Sequence, residues 1–164
     1  MYERTDETAV LVVMPPDLQS AKLVEGLKLQ GLKPLKANTC RAARHSLRIK
    51  PRTAVVITAA TLPDGNWCDL LQYVVRSGRP TSVILYCPVA DEALWLEAIG
   101  RGADDVLAAP FDPKEFQRSI ERARYRRLKA TQRRPKPLER APHGKKAEPR
   151  LSLTPLSGTR RWQT

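Results

Sequence analysis

Apolar residues along this chain follow two rhythms. Ala9–Val13 (AVLVV), Ala54–Ile57 (AVVI) and Ser82–Cys87 (SVILYC) are unbroken and rich in β-branched residues. Such runs are expected of strands covered on both faces, as in a parallel sheet. Between them the apolar positions recur with helical spacing. Ala21, Val24 and Leu27, widened by Leu23, mark a stripe that starts at Leu18 behind the N-cap Asp17 and stops at Gly31. A short strand near Pro34–Ala37 follows. A helix over Thr39–Ile49 comes next, capped by Asn38 or Thr39. The helix over roughly Asn66–Arg76 carries Trp67, Leu70, Leu71 and Val74 on one side. The next one, capped by Asp91 and ended by Gly102, pairs Leu94 with Ala98 and Trp95 with Ile99. ADDVLAAP (103–110) supplies a fifth short strand. Asp112 then caps a last helix, with Pro113 at its first position and Glu115 in its first turn.

Five strands alternating with five helices predict an α/β fold, an open parallel sheet wrapped on both faces. Right-handed crossovers leave few topologies for about 120 residues. The leading one is the flavodoxin-like (βα)5 three-layer sandwich with strand order 2-1-3-4-5.

Charge changes the picture of the chain's end. Residues 1–121 hold 15 basic and 15 acidic side chains, whereas the last 43 hold 14 against 2, so the whole net charge of +12 lies there. Five of the 14 prolines lie there too. The expected organisation is an N-terminal arm (1–8), a folded domain (9–126) and a basic, proline-rich flexible tail (127–164). In that tail the helix is expected to run on and become proline-broken after Gln132. Cys40, Cys68 and Cys87 are odd in number and widely spaced. They read as reduced thiols and not as a disulfide frame or zinc site. The apolar runs are far shorter than the ~20 residues that span a bilayer. The N-terminus mixes charges without a hydrophobic signal region. A cytoplasmic bacterial protein is expected.

In such a sheet, ligands and chemistry gather at the carboxyl ends of the strands. Here those ends offer Met14 and Pro15, then Ala59 and Ala60, then Cys87, then Ala108 and Ala109. No glycine-rich phosphate cradle follows the first strand. Cys87 is the only reactive group, and neither His45 nor His143 has an evident reason to lie beside it and lower its pKa. Asp17, Asp64 and Asp69 read as caps and turn residues. A small role for Asp17 in holding a cation is the alternative. No metal, cofactor or catalytic activity is predicted.

The AVLVV run, the LPDG turn after VVITA, and GADDVLAAPF followed by an Asp-capped helix together resemble the receiver domain of bacterial two-component response regulators. The likeness covers about residues 8–126. In that family an aspartate at the end of the third strand accepts phosphate from a histidine kinase. An acidic pair after the first strand holds Mg²⁺, and a hydroxyl and a lysine contact the phosphoryl group. The resemblance places Ala59 at the phosphoacceptor position, Met14 and Pro15 at the acidic pair, Cys87 at the hydroxyl, Ala109 at the lysine and Val106 at the aromatic switch. It also implies a cis Ala109–Pro110 bond. An alanine methyl cannot form an acyl phosphate, and no carboxylate is left for a hard cation that wants oxygen ligands. The expectation is a pseudoreceiver, a signal-transduction module that works without phosphorylation.

Two modes of action remain open. The family binds partners or dimerises through the fourth helix, fifth strand and fifth helix. Here that face spans about Asp91–Ile99, Asp105–Ala109 and Asp112–Arg124, with Trp95, Glu92, Val106, Glu115 and Arg118 as candidates. Trp95 reads either as a partner anchor or as packing against Ile99 and the sheet. The other mode is the tail. Arg124, Arg126, Arg127, Lys129, Arg133, Arg134, Lys136, Lys145 and Lys146 suit nucleic acid, an anionic membrane surface or an acidic protein. A flexible tail without a dedicated ligand is the plain alternative. RLSLTPLSGTRRW (150–162) is a weak candidate for a short docking motif.

Overall fold

The computed structural model describes residues 9–89 and 91–132. In chain order the elements are β1 (Ala9–Val13), α1 (Leu18–Leu29), β2 (Pro34–Ala37), α2 (Cys40–Ile49), β3 (Thr53–Ala59), β4 (Thr61–Leu62) and β5 (Gly65–Asn66). They continue with α3 (Trp67–Arg76), β6 (Ser82–Cys87), α4 (Glu92–Arg101), β7 (Asp105–Ala108) and α5 (Pro113–Gln132). Five strands form a parallel sheet in the order β2-β1-β3-β6-β7. With β6 and β7 as the fourth and fifth sheet strands, this is the flavodoxin-like order that the alternation predicts. The two extra strands, β4 and β5, are a minimal antiparallel ribbon around Pro63-Asp64, where the sequence suggested only a turn.

The sheet separates two cores. On one face Leu23, Val24 and Leu27 of α1 and Phe116, Ile120 and Ala123 of α5 pack on Val10, Val12, Ile57, Ile84 and Leu107. On the other, Cys40, Ala43 and Leu47 of α2, Leu70, Leu71 and Val74 of α3 and Ala98 of α4 pack on Leu11, Val13, Val56 and Leu85. The strand runs are apolar without alternation because both of their faces are covered. Ala21, expected in the α1 stripe, is exposed. Leu23 takes its place, and the buried row is Leu23, Val24 and Leu27.

Local chemistry sets the helix starts. The Asp17 carboxylate accepts the Ser20 amide (2.8 Å), while the Ser20 hydroxyl accepts the Asp17 amide, a reciprocal capping box. Thr39, not Asn38, caps α2 by accepting the Ala42 amide (3.0 Å). Asn66 and Asp69 cap α3 in the same reciprocal way. Asp91 caps α4 and Asp112 caps α5. Gly102 ends α4 at φ 102°, a left-handed conformation in which a side chain would be strained.

The two carboxylates of GADDVL hold the β7 edge. Asp104 accepts the Val83 amide (2.8 Å) and pairs with Arg126 (3.1 Å). Asp105 accepts the Ser119 hydroxyl (2.5 Å) and pairs with Arg122 (2.7 Å). The motif that carries the family likeness is thus, in this chain, a clamp between the last strand and the last helix.

Candidate functional site

Strand register brings the carboxyl ends together. Val13 lies opposite Thr58, which places Met14 beside Ala59. Ala59 lies opposite Tyr86, and Cys87 opposite Ala108. Backbone bonds fix the rim, Met14 N–H to the Ala37 carbonyl (3.0 Å) and Ala109 N–H to the Cys87 carbonyl (2.9 Å). The Ala109–Pro110 bond is cis.

The side chains at this rim are apolar or thiol. Met14 is buried in the cluster that also holds Val12, Tyr86, Leu107 and Phe116. Ala59 touches both cores, and Ala109 packs on the α1–α5 side. Cys87 is buried, and its thiol donates to the Val89 carbonyl. Val106 is half-buried against the α2–α4 core. The neighbouring polar groups are engaged. The Thr58 hydroxyl donates to the Ala59 carbonyl (3.1 Å), the Tyr86 phenol to Gln19 (3.1 Å), and the Asp17 carboxylate caps α1. Burial pushes the Tyr86 phenol above its ordinary pKa. Met14, Pro15, Ala59 and Ala109 present no side-chain oxygen, so the donor set does not fit Mg²⁺. Among the described residues no cluster of His, Cys, Asp or Glu could hold a metal ion.

Asp64, the exposed carboxylate in the LPDG turn, is committed elsewhere. Its oxygens accept the amides of Cys40 (2.6 Å) and Arg41 (2.9 Å) at the start of α2. The bond from the Arg41 amide, joined by that from Cys40, holds the Asp64 carboxyl below its usual pKa. Gly65 makes this approach possible. A Cβ there would stand 2.8 Å from an Asp69 oxygen and 3.1 Å from the Cys40 sulfur. Burial pushes the Cys40 thiol up, helped by the charge of Asp64, and burial likewise raises Cys68. Both therefore stay protonated near neutrality. His45 is hydrogen-bonded to Arg48 (3.2 Å) on α2.

The expected partner face is partly assembled. α4 and α5 pack on opposite faces of the sheet, and each contacts β7. On α4, Trp95 is 45% exposed, and Leu96 and Ile99 are exposed as well, as is Val89 just before the helix. Trp95 therefore lies outside the core, where helical spacing alone left it undecided. Glu92 is exposed on the first turn. Glu115 and Arg118 of α5 line a shallow depression with Glu121 and Arg122.

Of the basic candidates, Arg126 is tied to Asp104. Lys129 lies 4.8 Å from the ring centre of exposed Tyr125. Arg124 is half-buried. Arg127 belongs to α5, but its side chain is not among those described, and Arg133, Arg134, Lys136, Lys145 and Lys146 lie outside the described residues. Sequence reading missed a second basic surface on α2, made of Arg41, Arg44, His45 and Arg48. Its signal was the i, i+3, i+4, i+7 spacing of those residues.

No family model matches the chain, and no curated protein matches it. Solved structures do. The signal receiver domain assigned to a LuxO repressor protein of Vibrio parahaemolyticus superposes with TM-score 0.69 at 21% identity, covering 77% of this chain and 98% of that one. The beryllofluoride-activated NtrC4 receiver domain dimer gives 0.65 at 25% identity, over 73% and 98%. The non-phosphorylated HemR receiver domain of Leptospira biflexa gives 0.61 at 25%, over 70% and 92%. With its 2-1-3-4-5 strand order and this likeness, the described part of the chain is a domain of the response-regulator receiver fold.

Proposed function

We propose that the protein is a pseudoreceiver, a signal-transduction module that acts by contact with protein partners and performs neither phosphotransfer nor catalysis. One observation carries this reading. At the convergence of strand ends the side chains are Met14, Pro15, Ala59, Cys87 and Ala109, with no carboxylate to accept a phosphoryl group and no ammonium to balance it. Two engaged carboxylates nearby, Asp17 in its cap and Asp64 on the α2 amides, support it further.

The contact surface is the β7 edge with α4 and α5, where Trp95, Leu96 and Ile99 are exposed next to one another on one helix. A protein partner or a second copy of the chain would cover it. The charge of the last 43 residues, 14 basic against 2 acidic, favours a second reading in which a polyanion is bound there.

The test is incubation with a small phosphodonor and Mg²⁺, followed by intact-mass measurement. The expected spectrum is unchanged. A gain of one phosphoryl group, mapped to any aspartate, would overturn the reading.

A further inference from the structure

We propose that the solvent face of α2, together with Tyr73 of α3, binds single-stranded nucleic acid. Arg41, Arg44, His45 and Arg48 fall at i, i+3, i+4 and i+7, so one helix face carries all four. The opposite row of Cys40, Ala43 and Leu47 is buried. Every member of the basic row is exposed. With Asp64 and Tyr73 they line a groove of about 590 Å³. Among the described residues none of these arginines has an ion-pair partner, whereas Arg101, Arg122 and Arg126 each pair with a carboxylate. The one carboxylate in the groove, Asp64, has its oxygens on the Cys40 and Arg41 amides. Three guanidinium groups against one carboxylate leave the groove positive.

The aromatic component points to bases as well as phosphates. The Arg44 guanidinium lies 5.6 Å from the Tyr73 ring centre, and the Tyr73 hydroxyl lies 3.5 Å from the Arg44 carbonyl. An aromatic ring and stacked guanidinium beside a cationic track is the combination that holds single strands, whose bases stack while their phosphates follow the charge. A duplex fits less well, because a helix must protrude to enter the major groove. α2 instead lies against α3, with Tyr73 beside it. The surface lies wholly within the folded domain and stands apart from the reading of the basic C-terminal segment.

The test uses the full chain with Arg41→Gln, Arg44→Gln and Arg48→Gln, which keep helix propensity and most of the side-chain stem. The control is Lys22→Gln, Lys28→Gln and Lys114→Gln, three exposed cations on other helices. Binding of a fluorescein-labelled oligo-dT or oligo-U is followed by anisotropy over a salt series. Circular dichroism melts confirm that both variants fold. Loss of three phosphate contacts should weaken binding about tenfold to a hundredfold near 0.1 M salt and flatten the log–log salt slope by about 2. The control should keep the parental slope. Any contribution from the C-terminal segment survives as residual binding in the arginine variant, so failure of this proposal is separable from failure of that reading. Equal losses in both variants would reduce the effect to net charge and overturn the proposal. Equal or better competition by a duplex of the same length, or by polyglutamate, would overturn it as well.

Discussion

Placing one acidic residue at the strand ends should damage this protein, and the damage should depend on pH. Met14 is 4% exposed and sits in the α1–α5 core with Val12, Tyr86 and Leu107. Met14→Ala removes nearly the whole buried side chain, at a cost of about 2–5 kcal/mol in lost transfer energy and residual cavity. Met14→Asp suffers the same loss and adds a carboxyl group inside an apolar cluster. Desolvation should raise the folded pKa of that aspartate above its unfolded value near 4. The extra penalty is then absent well below the unfolded pKa, grows as pH rises from the unfolded towards the folded pKa, and is complete above the folded one. It reaches about 1.4 kcal/mol for every tenfold weakening of the acid on folding. A hundredfold weakening would add roughly 3 kcal/mol at pH 7.5, a large share of the ~5–15 kcal/mol that holds a domain. Urea unfolding at pH 4.5 and 7.5, followed by circular dichroism, compares the Asp, Ala and Leu variants. Met14→Leu should cost less than about 1.5 kcal/mol. The Asp and Ala variants should lie close at pH 4.5 and separate at pH 7.5. A pH-independent gap between them would refute the desolvation argument, and a gap that closes as pH rises, or stabilisation of Met14→Asp by millimolar Mg²⁺, would show that the mouth has the character of a cation site.

Two further outcomes follow from the same geometry. Asp64→Asn should flatten the acid limb of the stability curve. The folded pKa of Asp64 is depressed, so its contribution is present above the unfolded value and is lost as pH falls through the folded one. Urea midpoints between about pH 2 and 6 check this, and an unchanged acid limb would contradict the role of Asp64 as the clasp on α2. Trp95→Ala should leave the melting temperature nearly unchanged, because Trp95 lies outside both cores. It should weaken partner retention in a pull-down from host cells about 30-fold, the cost of losing a ~2 kcal/mol anchor. Retention equal to the parent would move the partner surface away from α4.

The interaction reading and the salt-dependent reading of the α2 groove concern different faces of one domain. α4 presents an apolar surface at the β7 edge. α2 lies at the other end of the sheet, beside β2, and presents arginines.

The sheet was legible in the chain alone. Continuous β-branched runs at 9–13, 54–57 and 82–87 can be satisfied only where both faces are covered. Asp17, Asp91 and Asp112 could mark helix starts because a cap acts on amides two or three residues away. The apolar and thiol residue types at the strand ends were read from the chain alone, since that needs only the residues at those positions.

Whatever depends on neighbours distant in the chain emerged only with the fold. The β4–β5 ribbon is too short to leave a periodic signal. The Asp64 contact with Cys40 and Arg41 links residues far apart in the chain, and no local pattern encodes it. Helical spacing showed that Leu94, Trp95, Ala98 and Ile99 lie close on one helix, but the direction of the core is set by how α4 seats on β7. That seating buries Ala98 and leaves Trp95 open. Charge count alone grouped Arg126 with the other cations of the chain's end. The fold turns it onto Asp104, while the arginines of α2 share their groove with a single carboxylate, Asp64, whose oxygens are on backbone amides.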